Sequence, residues 1–290
     1  MTKEFKSFYK TVGGGEGQKC KYPTRLDTYG CGCQHDCSYC YAKSLLYFRK
    51  QWNAKEPAVA NINEIAKVIK KIPQGTIIRL GGMTDCFQPL EKEVRNTYKT
   101  IQLLNEHKIG YLIVTKSSLV AEDDYVEIMD KNLAHIQITV TTLDDDFYLK
   151  RKYEKASLPF ERINAILKLQ EKGFDVAIRL SPMIEEFMDF DKLNSLGIQK
   201  GIVEFLRINS WISKWLRIDE RKYTYFEGGY KHLPLEEKAR IMSRIQIPEL
   251  SACEDVKKHY LYLRQKFNPN KEDCCNLRLT RLNDPLKPPK

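Results

Sequence analysis

Apolar residues along the chain fall into short continuous runs, separated by stretches in which they recur every three or four positions. The runs TRLDTY (24–29), TIIRLGG (76–82), GYLIVT (110–115), HIQITVT (135–141), DVAIRLS (175–181) and GIVEFLRI (201–208) are rich in Ile, Val, Leu and Thr. Several are closely followed by Gly, Pro or Asp, the punctuation of β-strands. Between them, INEIAKVIKKI (62–72), EKEVRNTYKTIQLLNEH (91–107), DDYVEIMDKN (123–132) and FERINAILKLQEKG (160–173) carry helical patterns. In the last, Ile163, Ile166, Leu167 and Leu169 fall at roughly helical spacing and Gly173 supplies a stop. Strand and helix alternating about six times predict a parallel sheet with right-handed crossovers. The fold class is α/β, a partial (β/α)6 TIM-like barrel with a mostly helical C-terminal extension. In such a barrel the chemistry sits at the C-terminal ends of the strands.

The pattern divides the chain into a basic, Gly-rich arm (1–23, with GGGEG at 13–17), a barrel (24–210) and the extension (211–290). From about Trp211 the alternation fades, leaving two helices, LEEKARIMSRI (235–245) and CEDVKKHYLYLRQKF (253–267), and a tail, NDPLKPPK, that reads as frayed. No apolar run approaches the roughly 18 residues of a membrane span and no export signal opens the chain, so a cytoplasmic protein without a membrane partner is expected. Nine cysteines in a reducing compartment point to metal or redox chemistry rather than a disulfide framework. The net charge of +10 favours polyanionic partners. Each basic cluster (Lys150, Arg151, Lys152 and Lys155; Lys214, Arg217, Arg221 and Lys222) reads equally as a solvated surface.

The stretch CGCQHDCSYCYA (31–42) sets four of those cysteines at the end of the first strand. Zinc prefers two pairs of ligands, and only Cys37 and Cys40 form one. Three thiolates at Cys33, Cys37 and Cys40, spaced CxxxCxxC on one loop, suit three irons of a 4Fe–4S cluster and leave the fourth open. With its aromatic before the last cysteine, this motif resembles the signature of radical S-adenosylmethionine (SAM) enzymes. The resemblance extends to the branch containing spore photoproduct lyases and DNA repair photolyase-like proteins. It rests on GGMTDCFQPLEKE (81–93), VTKSSLV (114–120), TVTTLDDD (139–146) and RLSPMI (179–184), in order at four successive strand ends.

That resemblance implies a 4Fe–4S cluster whose open iron binds SAM and cleaves it to a 5'-deoxyadenosyl radical. It implies an electron donor such as flavodoxin or ferredoxin, and lyase or base-modifying activity in DNA repair, with DNA favoured over RNA as the partner. Gly81, Gly82 and Thr84 would lie beside the SAM amino group, Lys116 would pair with its carboxylate, and Tyr39 would pack on the adenine. Thr141 and Thr142 offer hydroxyls to the carboxylate or ribose, although strand propensity accounts for them equally well. Arg179 points either into the barrel mouth or onto a helix. Asp85, Cys86 and Gln88 would face the substrate, with Cys86 as a hydrogen-atom donor. The lyases carry their donor cysteine before the aspartate, where this chain has glycine and methionine, a departure that argues against thymine-dimer repair itself.

Cys31 lacks the family spacing, and His35 reads as a loop residue. Cys274 and Cys275, being adjacent, do not readily share a metal and read as buried thiols, with an auxiliary metal site or redox relay as the alternative. Trp211 and Trp215 read as core, with base stacking as the alternative. Two other functions stay open: radical SAM chemistry on a protein, peptide or small molecule, and a zinc-holding nucleic-acid-binding protein.

Overall fold

The computed structural model describes residues 5–10 and 20–279; GGGEG, most of the 1–23 arm and the 283–290 tail lie outside the described residues. In chain order the strands are β1 (Phe8–Lys10), β2 (Thr24–Leu26), β3 (Tyr29–Gly30), β4 (Ala58–Val59), β5 (Ile77–Leu80), β6 (Gly110–Thr115), β7 (Ala134–Thr139), β8 (Asp175–Met183), β9 (Lys200–Phe205), β10 (Tyr225–Glu227), β11 (Tyr230–His232) and β12 (Glu249–Ala252). The main sheet runs β1-β2-β5-β6-β7-β8-β9-β12. β1 is antiparallel to β2, and every other pairing in this sheet is parallel. Each expected strand is present in sequence order, which makes this the expected α/β partial barrel. Its edges, β1 and β12, do not pair with each other, so one side stays open.

Alternation along each strand sorts side chains between two environments. On β6, Tyr111 and Ile113 join the large core under the helices, whereas Leu112 and Val114 face a smaller cluster with Ile77 of β5. The same period sends Arg79, Val114, Arg179 and Glu204 toward a cavity at the strand ends. Among the described residues, no helix is long and apolar enough to cross a membrane.

Besides the β10–β11 hairpin in the extension, two departures from the sequence pattern have a physical reason. The expected helix 91–107 is split into Glu91–Val94 and Asn96–Glu106 by Arg95, which is left-handed at φ 55°. The cause is Glu91: its buried carboxylate accepts the N–H groups of Thr97 and Tyr98, both at 2.9 Å, and so caps the second helix. The hydroxyls of Tyr29 and Tyr125 also donate to it. The second difference is β12, which lies inside the span expected to be helical and extends the parallel sheet beyond β9. Four residues with polar Glu249 and Ser251 are too short a run to announce a strand by composition. By contrast, the helix Pro159–Glu171 follows its sequence signals: proline in the first turn, Glu161 accepting the Leu158 N–H at 2.7 Å, and Gly173 at φ +80° beyond its end.

Candidate active site

The loop of residues 31–40 is held from several sides. The Gln88 side chain accepts the Gln34 N–H at 2.9 Å, and the Gln34 side chain accepts the Leu90 N–H at 2.6 Å. Tyr153 and His35 supply carbonyls to Ser38 N–H and Lys155 N–H at 2.8 and 2.7 Å. Cys40 caps the helix Tyr41–Phe48, and its sulfur accepts the Lys43 N–H at 3.3 Å. The loop thereby sets Cys33, Cys37 and Cys40 in the wall of one cavity.

Gly81, Gly82, Thr84, Asp85, Lys116, Tyr39 and Arg179 line the same cavity. Gly81 is left-handed at φ +80°, and a Cβ there would come within 3.0 Å of the Thr84 carbonyl. A Cβ on Gly82 would lie 2.0 Å from the Tyr9 hydroxyl. Asp27, which ends the β2 run, anchors this turn by accepting the N–H groups of Gly82 at 2.7 Å and Met83 at 3.2 Å. Burial raises the Asp27 carboxyl above its ordinary value despite those donors. The Thr84 hydroxyl donates to the Tyr29 carbonyl at 2.6 Å, so it serves the turn itself.

Lys116 is not a surface lysine. Its ammonium reaches the Ser181 carbonyl at 3.2 Å, lies 3.7 Å from Glu154 and stands 4.9 Å from the centre of the Tyr39 ring. Burial pushes it down to about 8, although the Cys37 thiol and Asp85 pull the other way. Glu154, buried and paired with Arg162 at 2.5 Å, also receives the Cys37 thiol at 3.5 Å. Arg179 points into the cavity, which settles the choice that alternation left open; it donates to Gln137 at 2.8 Å and to Glu204. Burial alone would raise the Glu204 carboxyl, but Arg179 and Arg207 outweigh it and hold it at about 2.

Several expected roles are corrected by position. Cys86 is fully buried in the core and absent from the cavity lining, so it does not face a substrate. Gln88 is equally buried and holds the cysteine loop. Asp85 touches the cavity, yet its carboxylate is saturated: Thr115 Oγ1 and Phe87 N–H donate at 2.8 Å each, Lys116 N–H at 2.7 Å, and His35 Nε2 stands at 3.2 Å. Burial alone would raise Asp85, but His35 and these N–H donors outweigh it and hold the carboxyl below its usual range. His35 is therefore a buried partner of Asp85 rather than a bare loop residue. Thr141 is buried against the Tyr153 hydroxyl at 2.8 Å, and Thr142 accepts the Asp144 N–H at 3.3 Å. Neither lines the cavity, where Thr139 stands instead. Trp211 and Trp215 are only partly buried, which corrects the core reading; they pack on each other and on exposed Tyr47, centroids 5.2 to 5.8 Å apart.

Sequence reading missed Asp27, Glu154, Arg162, Glu204 and Arg207. Glu204 carried a signal: a charged residue within an apolar strand whose neighbours alternate. Glu154 and Arg162 carried none, because their pairing joins a loop to a helix eight positions later.

A family model described as the radical SAM superfamily matches residues 28–193, from the end of the first strand through the last of the cavity's loops before β9. The chain belongs to that superfamily. Members of the radical SAM superfamily use a 4Fe–4S cluster and SAM. Among relatives, the uncharacterized protein MJ0683 of Methanocaldococcus jannaschii is 28% identical over 179 residues, 60% of this chain and 65% of that one. The match thus spans just under two thirds of that relative. Among solved structures, one mutant of spore photoproduct lyase superposes with a TM-score of 0.60 at 16% identity, covering 92% of this chain and 78% of that one. A second, described as having bound AdoMet and dinucleoside spore photoproduct, gives 0.57 at 17% identity over 87% and 76%. Both show the same radical SAM fold.

The residues present fit the superfamily's cluster. Cys33 and Cys37 are buried and Cys40 is half-buried, all on one cavity wall. Burial, followed by Asp85 for Cys33 and Glu154 for Cys37, pushes these thiols up. Thiols so placed become thiolates when a metal centre supplies positive charge.

Proposed function

We propose that this chain is a radical SAM enzyme that acts on a nucleic-acid base, with DNA as the favoured polymer. The observation that carries the catalytic part is the meeting of Cys33, Cys37 and Cys40 on one cavity wall with Lys116 and Tyr39. Those three thiolates would hold a 4Fe–4S cluster, which would supply the electron for reductive cleavage of SAM. The chain's own residues do the rest. Lys116, aimed over the Tyr39 ring, offers a cation to the SAM carboxylate. Gly81, free of a side chain and left-handed, lets the β5 turn approach the methionine end. Arg179 and Arg207 hold Glu204 ionised at the cavity, a fixed acceptor for an amino or hydroxyl group.

Support for a nucleic-acid substrate is of three kinds: the net charge of +10, the bound dinucleoside named for one spore photoproduct lyase structure, and the aromatic patch. That patch joins Tyr47, from the helix that follows Cys40, to Trp211 and Trp215, with the Lys43 ammonium 4.8 Å from the Trp215 ring centre. Aromatic faces beside cations stack unpaired bases with little sequence preference.

The test is anaerobic. Wild type and a Cys33, Cys37, Cys40 triple-alanine variant are reconstituted, iron and sulfide are counted, and dithionite and SAM are added. About four irons and 5'-deoxyadenosine in the wild type alone support the chemistry. Faster cleavage with single-stranded DNA, lost with added salt and in a Trp211→Ala/Trp215→Ala variant, supports the substrate. A loaded wild type that leaves SAM intact overturns the enzyme reading, and acceleration by peptides or metabolites alone overturns the nucleic-acid reading.

A further inference from the structure

Outside the cluster motif, three consecutive residues near the end of the described chain carry metal-ligating side chains: Asp273, Cys274 and Cys275. All three are buried, and a carboxylate oxygen and both sulfurs lie within 4.8 Å of one another. Adjacent cysteines, expected not to share a metal, are thus brought to one point by the turn on which they sit. That turn is built by its own polar residues. The Asn270 side chain accepts the N–H groups of Glu272 at 2.9 Å and Asp273 at 3.2 Å. Asn276 closes it in the left-handed region at φ 47°, a conformation open to asparagine.

The Asp273 carboxylate is oriented from three sides. Its Oδ2 accepts the Tyr22 hydroxyl at 2.7 Å and the Leu277 N–H at 3.2 Å, and its Oδ1 accepts the Cys275 N–H at 2.9 Å. Burial, followed by the Asp273 charge, raises Tyr22 so far that its hydroxyl stays a donor. A carboxylate offers roughly four acceptor positions, so one on Oδ1 remains. A carboxylate fixed by outer partners with a lone pair left over is arranged as a metal ligand.

We propose that Asp273, Cys274 and Cys275 bind one zinc ion. Two soft sulfurs with one harder oxygen suit its borderline character, whereas calcium and magnesium take oxygen donors. Zn–S of about 2.3 Å and Zn–O of about 2.1 Å set tetrahedral donors roughly 3.7 Å apart, so the side chains close by about 1 Å at most. The buried thiols give up their two protons when the dication supplies compensating charge. Cys20 and Cys253 pack against the same apolar cluster but are not ligands. Three protein donors leave the fourth position to water, which makes the ion removable by a chelator. The turn lies against the starts of three strands. Asp175 of β8 accepts the Arg278 N–H at 2.8 Å, Lys200 of β9 donates to the Asn276 carbonyl at 2.6 Å, and Asn276 donates to Glu249 of β12 at 2.8 Å. Strand starts form the barrel face opposite the catalytic cavity, the face that serves stability. The ion therefore fastens the C-terminal turn across β8, β9 and β12, and its role is structural. The inference does not depend on the proposed reaction.

The triple-alanine variant at Cys33, Cys37 and Cys40 isolates the site. Purified anaerobically, stripped with EDTA and titrated with zinc, it is expected to bind about one ion per chain. Zinc-edge X-ray absorption should then show two sulfur neighbours at about 2.3 Å and oxygens at about 2.0–2.2 Å. Zinc at a hundredfold excess over Kd should raise Tm by about 4–5 °C. In the same background, Cys274→Ser/Cys275→Ser is expected to abolish binding and Asp273→Asn to weaken it at least tenfold, whereas Cys20→Ser/Cys253→Ser leaves it unchanged. Should the Cys274→Ser/Cys275→Ser protein fail to fold, the absorption spectrum of the triple-alanine protein decides the point. No bound zinc, four sulfur neighbours, binding that survives Cys274→Ser/Cys275→Ser, or binding lost with Cys20→Ser/Cys253→Ser would each overturn the proposal.

Discussion

Asp85 is the residue whose role changes most between sequence and structure, and Asp85→Asn tests the change. Oδ1 takes Thr115 Oγ1 and Phe87 N–H, and Oδ2 takes Lys116 N–H with His35 Nε2 3.2 Å away. An asparagine can accept at one position only and turns N–H toward the other pair. Whichever way it turns, one backbone N–H loses its charged acceptor, because the Thr115 hydroxyl and the His35 ring can each accept instead, so the cost is about 1.5–3 kcal/mol. At about 2.1 cal/mol/K per residue, the melting entropy of this chain is about 0.6 kcal/mol/K, and Tm should fall by about 2.5–5 °C.

Because His35 sits between Cys33 and Cys37, the variant should also lose iron during gel filtration. The folded-state pKa of Asp85 lies below its ordinary value, so its contribution is present above about pH 4 and is lost as pH falls through the folded value. The difference in Tm between wild type and variant should therefore be full at pH 7 and shrink below pH 4. Differential scanning fluorimetry with iron analysis reads both effects. A variant that melts within about 1 °C of wild type and keeps its iron, yet makes no deoxyadenosine, would make Asp85 a catalytic group and refute the positioning role.

Arg162→Met strands the buried Glu154 carboxylate and should cost about 3–5 kcal/mol by chemical denaturation, with Glu154→Gln in the same chain restoring part of the loss. Gly81→Ala places a Cβ at a left-handed φ, 3.0 Å from the Thr84 carbonyl, and should cost about 1–2 kcal/mol and weaken SAM binding in equilibrium dialysis. Cys86→Ala, made away from the cavity, should leave deoxyadenosine formation within about twofold of wild type and cost about 1 kcal/mol for the small void. A large loss of turnover in that variant would return the thiol to the reaction.

The order of strands and helices and the chemistry of the first strand's loop were legible in the sequence. Both are local properties: runs of β-branched residues announce β5 through β9, and CxxxCxxC needs only a few positions to present three thiols together. It also placed Gly81, Lys116 and Arg179 at strand ends, because in a parallel barrel those ends share one face. What it did not determine was which polar residues turn inward and what meets them there. Asp85, Gln88 and Thr141 look like ligands in sequence, but each finds a partner from a distant segment that consumes its hydrogen-bonding capacity. β12 exists because an unpaired edge of β9 accepts it, not because its four residues favour extension. The meeting of Cys20 and Cys253 with Cys274 and Cys275 is likewise a property of the open barrel. No periodicity links residues that far apart; only tertiary packing gathers them around one small apolar cluster.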